Sequence, residues 1–126
     1  MDIRVVEGDI TRSDADAIVV NLFEGVTQPG GGTGAVDRAL GGAISDLIKE
    51  GEITGKKGGM VLIHTLGRLP ARRVLVVGLG KAEDFGAEAI RHVTAESCRY
   101  LRAAGVGRAA TIAHGAGIGG MSPKAS

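Results

Sequence analysis

Two glycine-rich stretches are the parts of this chain whose residue types and spacing best suit chemistry. The first, Pro29-Gly30-Gly31-Gly32-Thr33-Gly34, follows the apolar run Ala17 to Leu22 and leads into a helical pattern. The second, Gly115 to Gly120, follows the apolar run Ala109 to Ala113 and leads into Ser122-Pro123. Glycines at such a junction let backbone N–H groups turn toward an anion, and a helix N-terminus adds a favourable partial charge. If the two preceding strands are parallel neighbours, both loops lie at one sheet edge and could clasp a diphosphate. A plainer reading stays open beside it, in which the glycines only make tight turns.

Other chemistry finds less support. Gly115, Gly117 and Gly120 satisfy G-x-G-x-x-G, but too late in the chain for a dinucleotide fold, and no acidic residue follows at the needed distance. Gly51 and Gly55 are separated by three residues where a P-loop has four, and Lys57 stands where Ser or Thr is needed. His64, His92 and His114 lack metal-ligand spacing and are expected at strand ends or on a helix surface. Cys98 falls mid-helix with no adjacent His, which suits a small packed thiol better than a nucleophile. Asp9 and Asp37 could act as bases, but Asp9 more simply caps a turn, and Asp37 is expected in the first turn of a helix. No catalytic residue is assigned.

The elements that would carry these residues alternate legibly. Strands are expected at Ile3 to Val6, Ala17 to Leu22, Met60 to His64, Val74 to Gly78 and Ala109 to Ala113. Ala17 to Leu22 is apolar without alternation, the mark of a strand buried on both faces. One helix is expected to carry Val36, Ala39, Leu40, Ala43, Ile44, Leu47 and Ile48 on a single stripe, stopped by Gly51. A second spans Ala87 to Ala104, with Ala87, Ile90, Val93, Leu101 and Ala104 inward. The expected architecture is α/β: a mixed sheet with helices packed on its faces, in one domain over residues 1–126. Ser122-Pro123 resembles the start of a further helix, yet only three residues follow. The expectation is a fragment cut before its last helix and strand.

Composition narrows the partners. Apolar residues make up 44% of the 126, but aromatics only 2%, so the core must be built from Val, Ile, Leu and Ala. Fifteen basic and 14 acidic side chains nearly cancel, which leaves no field to attract nucleic acid or an anionic membrane. A single cysteine suits a reducing compartment, and the N-terminus carries no signal-like apolar run, so a cytoplasmic location is expected.

Several motifs carry family resemblances. Gly8-Asp9-Ile10-Thr11, Asp16-Ala17-Ile18-Val19, Gly30-Gly31-Gly32 leading into Gly34-Ala35-Val36-Asp37-Arg38-Ala39, and Gly117-Ile118-Gly119-Gly120-Met121-Ser122-Pro123 resemble the macro domain, an ADP-ribose-binding module. The resemblance implies a ligand site of Asp9 (on the adenine side) and Ile10, with Gly30, Gly31, Gly32, Gly34, Gly115, Gly117, Ile118 and Gly119, the glycine loops meeting the phosphates. Macro hydrolases carry asparagine just after the second strand. Ungapped alignment puts Val20 and Phe23 at those places, with Asn21 out of step, so binding is implied rather than hydrolysis.

A closer resemblance lies in Asn21-Leu22-Phe23-Glu24-Gly25, Gly34 to Ile44, Gly51-Glu52-Ile53-Thr54-Gly55-Lys56 and Arg72 to Lys81. These are similar to the macro-like N-terminal domain of leucyl (cytosol) aminopeptidases, the M17-like peptidases. The resemblance implies a non-catalytic domain with an assembly or regulatory role. It also implies a C-terminal metallopeptidase domain, with two divalent ions (Zn or Mn), elsewhere in a hexameric parent hydrolase. On this reading the chain itself has no cofactor and no metal.

Overall fold

The computed structural model of the chain describes residues 1–112. Five strands are found there: β1 (Asp2–Val5), β2 (Ala17–Leu22), β3 (Met60–His64), β4 (Arg73–Gly78) and β5 (Arg108–Thr111), with helices α1 (Gly31–Ala39), α2 (Ala43–Lys49) and α3 (Ala87–Ala103). They form one sheet in the order β1-β5-β2-β4-β3. β1, β5, β2 and β4 run parallel, and β3 is antiparallel to β4. The expected mixed α/β sheet is what the chain forms.

Both faces of the sheet are covered, and alternation along the central strands divides the core. Ile18, Val20 and Leu22 of β2, with Val74 and Val76 of β4, pack under α1 and α2 against Val36, Leu40 and Ile44. Ala17, Val19, Leu75 and Val77 face the other way, against Val93 and Leu101 of α3. Ala17 to Val20 are fully buried, as expected of an apolar run with helices on both sides. Along α3 the stripe is Ile90, Val93, Ser97 and Leu101, and the buried Ser97 hydroxyl donates to the Val93 carbonyl at 2.7 Å. Ala87, expected inward, is exposed.

The expected single helix after the first glycine loop is two. Gly41 and Gly42 adopt φ of 69° and 88°, left-handed values that end α1 before the chain re-enters a helix. Two side chains hold this corner. The Arg68 guanidinium donates to the Leu40 carbonyl at 3.0 Å, and a Cβ on Gly41 would lie 2.8 Å from it. The Asp37 carboxylate accepts the Ser45 backbone N–H at 2.9 Å and the Ser45 hydroxyl. Asp37 therefore sits near the C-terminal end of α1, not in a first turn, and its charge serves the N-terminus of α2. Replacing Asp37 with Ala should destabilise the domain by about 2 kcal/mol, the cost of a lost N-terminal cap with charged hydrogen bonds. Urea unfolding tests this. A change below about 0.5 kcal/mol, the range of neutral surface substitutions, would contradict the capping role.

Candidate functional site

β2 and β5 are parallel neighbours, with Ala17 opposite Ala109, Ile18 opposite Ala110 and Val19 opposite Thr111. This is the condition under which the segments following the two strands emerge at one sheet edge. The first glycine loop lies there. Gly115, Gly117, Ile118 and Gly119 lie outside the described residues, as do His114 and Ser122-Pro123.

The glycines of the first loop are not alike. Gly31 takes φ of 55°, the left-handed region. Gly32 and Gly34 are set by close packing. A Cβ on Gly32 would lie 2.9 Å from the Ile112 side chain and 3.6 Å from Ile10, and one on Gly34 would lie 2.6 Å from the Pro29 carbonyl oxygen. Gly30 differs, having an ordinary extended φ of −116° with nothing within 4 Å of where a Cβ would stand. It is the N-cap of α1 and supplies no side-chain cap to the helix's first N–H groups. Neither turn geometry nor packing demands glycine there. The space beside an uncapped nine-residue helix suits an anion that meets the backbone directly.

Thr33 and Ile112 join the site without having been expected. Thr33 is buried, and its hydroxyl donates to the Asn21 carbonyl at 2.8 Å and accepts the Asn21 N–H at 3.3 Å. The first turn of α1 is thereby fixed to the end of β2. Ile112, just past β5, touches the same turn from the other strand. A threonine within a glycine run, next to a buried strand, was the available signal for Thr33.

Asp9 caps the 3-10 turn Ile10–Arg12, accepting from the Thr11 N–H at 3.0 Å and from the Thr11 hydroxyl, with the Arg12 guanidinium 3.6 Å away. The Thr11 hydroxyl, then its N–H, then the charge of Arg12 hold the Asp9 carboxyl below its ordinary value of 3.8. Because the folded value is the lower one, this contribution to stability is complete above the ordinary value and is lost as pH falls through the folded one. Asp9 is therefore a carboxylate throughout the neutral range. Replacing Thr11 with Val should move the Asp9 midpoint upward in an NMR carboxyl titration, and an unmoved midpoint would contradict the assignment. The Ile10 side chain is 1% exposed and belongs to the core beneath Gly32, so it shapes the floor of the site.

The other candidates fall away from this edge. His64 ends β3 and His92 lies exposed on α3, while Cys98 is half-buried on the same helix. Among the described residues no three His, Cys, Asp or Glu side chains gather as a metal site would require. A cavity of about 180 Å³, lined by Ile53, Thr54, Gly55, Met60, Val76 and Gly78, lies at the outer side of β4. It was not anticipated, and it is smaller than the 300 Å³ or more typical of pockets for drug-sized ligands.

The stretches Gly51 to Lys56 and Arg72 to Lys81 form a backbone knot at the ends of β2 and β4. Leu79 donates to the Leu22 carbonyl at 3.0 Å, Gly80 to Gly55 at 2.9 Å and Glu24 to Gly80 at 2.9 Å. A Cβ on Gly78 would lie 2.0 Å from the Lys56 carbonyl oxygen. These motifs build scaffold.

Residues 19–116 match the family model described as the N-terminal domain of the cytosol aminopeptidase family. A probable cytosol aminopeptidase of Alkaliphilus metalliredigens is 36% identical over 113 residues, which are 90% of this chain and 22% of that protein. One from Geobacter sp. strain M21 is 39% identical over 110 residues, covering 87% and 21%. The chain thus spans about a fifth of the length of these curated relatives. Among solved structures, the macrodomain of Mycobacterium tuberculosis DarG superposes with a TM-score of 0.72 at 22% identity, covering 98% of this chain and 83% of that one. A tomato leucine aminopeptidase variant gives 0.66 at 15% identity, covering 88% and 22%. An Oceanobacillus iheyensis macrodomain with ADP gives 0.63 at 19%, covering 85% and 60%. At these identities the structural likeness establishes a macrodomain-like fold. Among the described residues no helix is long and apolar enough to cross a membrane.

Proposed function

The chain belongs to the cytosol aminopeptidase family as its N-terminal domain, and we propose that it serves a longer, metal-dependent leucyl aminopeptidase as a non-catalytic part with an assembly or regulatory role. The observation that carries this reading is the match of residues 19–116 to that N-terminal domain, within relatives about five times as long as the matched segment. On this account the peptidase residues and the two divalent ions (Zn or Mn) belong to a C-terminal domain of the same protein. The parent is a cytoplasmic hydrolase that works as a homo-oligomer, a hexamer by family resemblance. The chain alone should show no turnover of a leucyl p-nitroanilide with Zn or Mn supplied, while the intact protein hydrolyses it. Metal-dependent turnover by the chain alone would refute the non-catalytic reading.

A second reading, binding of ADP-ribose or a related nucleotide diphosphate, is favoured by one observation. β2 and β5 are adjacent and parallel, and the first turn of α1 touches Ile112 at the end of β5. The first glycine loop and the end of β5 therefore lie side by side. Gly30, Gly31, Gly32 and Gly34 would then meet the phosphates, joined by Gly115, Gly117, Ile118 and Gly119, while Asp9 and Ile10 lie toward the base. The two readings are compatible, since an accessory domain that binds a nucleotide could regulate its enzyme.

A further inference from the structure

The sheet has two edges, β1 and β3, and they differ in how they are guarded. β1 is four residues long and carries Asp2 and Arg4, which pair at 3.1 Å. Charged side chains on an edge strand discourage further pairing. β3 reads Met60-Val61-Leu62-Ile63-His64, with no permanent charge, no proline and an unbroken five-residue ladder to β4. It carries neither the permanent charge nor the proline that guards such edges.

Hydrogen bonds at its two ends show which backbone groups are free to pair. Gly78 donates to the Gly59 carbonyl at 2.8 Å, and Thr65 donates to the Arg72 carbonyl at 2.9 Å. In an antiparallel ladder this direction alternates, so Gly59, Val61, Ile63 and Thr65 turn their backbone toward β4. Met60, Leu62 and His64 turn theirs toward the outer edge, where no strand of the described residues pairs.

We propose that β3 is an interface strand that pairs antiparallel with β3 of a second copy, about a two-fold axis through Leu62. The pattern is self-complementary in this register. Leu62 meets the partner's Leu62, and Met60 meets the partner's His64, so all three outward residues fall in hydrogen-bonded pairs. Val61 meets the partner's Ile63, so the apolar row under α2 continues across the junction. Met60 and Leu62 continue the row on the α3 face. No like charges meet. A one-residue slip would set the two apolar rows on opposite faces and would oppose outward-facing backbone groups to ones already bonded to β4. A two-fold contact of this kind uses one patch on both subunits. The proposal stands apart from the proposed nucleotide site, which lies at the C-terminal ends of β2 and β5.

Disulfide trapping in the intact protein, with Cys98→Ser as background, tests the register. Leu62→Cys should give a disulfide-linked dimer under mild oxidation, because hydrogen-bonded antiparallel pairs hold their Cα atoms about 5.5 Å apart. His64→Cys alone should not, since its two-fold mate lies four residues along, roughly 13 Å away. The double variant Met60→Cys/His64→Cys should cross-link again, which keeps the test valid if Leu62→Cys fails to fold. Absence of a cross-link in both folded variants, or cross-linking of His64→Cys alone to the same extent, overturns the proposal. Slow hydrogen exchange at the Leu62 amide without any cross-link would identify a different occupant and overturn it equally.

Discussion

Gly30→Glu abolishes ADP-ribose binding while the domain stays folded: this is the expected result if the first glycine loop is a diphosphate site. Gly30 is exposed, with an ordinary extended φ of −116° and nothing within 4 Å of where a Cβ would stand, so a new side chain can start there and run into solvent at little cost to the fold. Its carboxylate would stand beside the first N–H groups of α1, where negative charge suits the helix, and would occupy the place of the phosphates. The loss should reach at least about 100-fold in affinity, roughly 2.7 kcal/mol. Gly31→Glu is a poorer probe, since φ of 55° strains any other residue by about 1–2 kcal/mol. Gly32 and Gly34 variants would displace Ile112 or Pro29 and confuse binding with packing. Calorimetric titration of wild type and Gly30→Glu, each shown to be folded by circular dichroism, decides the matter. Equal affinity in the two would remove the loop from the site, and a folded wild type without heat would leave the glycines as turn-makers only.

Gly78→Ala should cost about 3 kcal/mol or more, the second large effect. The added Cβ would lie 2.0 Å from the Lys56 carbonyl oxygen and within 3.0 Å of two further main-chain carbons, those of Gly55 and Lys56. Overpacking against side chains typically costs about 1–3 kcal/mol because side chains can turn away. Here the obstacle is main chain, held by Gly80 donating to Gly55 and Gly78 donating to Gly59. Relief requires the turn through residues 55–59 to move and those bonds to loosen. Against a total stability of about 5–15 kcal/mol, that is a large share. Gly86→Ser makes the control, since Gly86 is an uncapped N-cap with nothing nearby and the change should be neutral or slightly stabilising. Urea unfolding of the pair tests the contrast, and a cost below about 1 kcal/mol for Gly78→Ala would contradict the account of the knot.

Much of this fold was legible because its strongest signals are local. β2 and β4 are apolar runs that only burial on two faces explains, and β3 and α3 fall where their patterns place them. The break between α1 and α2 escapes the sequence pattern for a specific reason. Leu40, Ala43 and Ile44 keep helical spacing across the corner, so periodicity alone runs straight through it. Gly41-Gly42 was the local sign of the break, and its cause, the reach of Arg68 and Asp37 into the corner, depends on pairings 28 and 8 residues apart.

The site divides the same way. The glycine run and the Asp9 cap could be read from neighbouring residues. Thr33 clamping β2, and Ile112 against Gly32, follow from strand neighbours that only the sheet order reveals. The motifs that point most clearly to the aminopeptidase family, Gly51 to Lys56 and Arg72 to Lys81, prove to be where main chain packs on main chain. Glycine is required at such contacts, which gives those motifs a physical meaning without giving them a catalytic one.

In the proposed role, this domain contributes to assembly or control of an enzyme whose chemistry lies elsewhere. The most direct test compares the intact protein with a version lacking residues 1–126, by light-scattering mass and by turnover of a leucyl p-nitroanilide with Zn or Mn. The shortened protein should keep its peptidase residues but assemble into a smaller species or lose normal turnover. An unchanged mass together with unchanged kcat and KM would contradict that role.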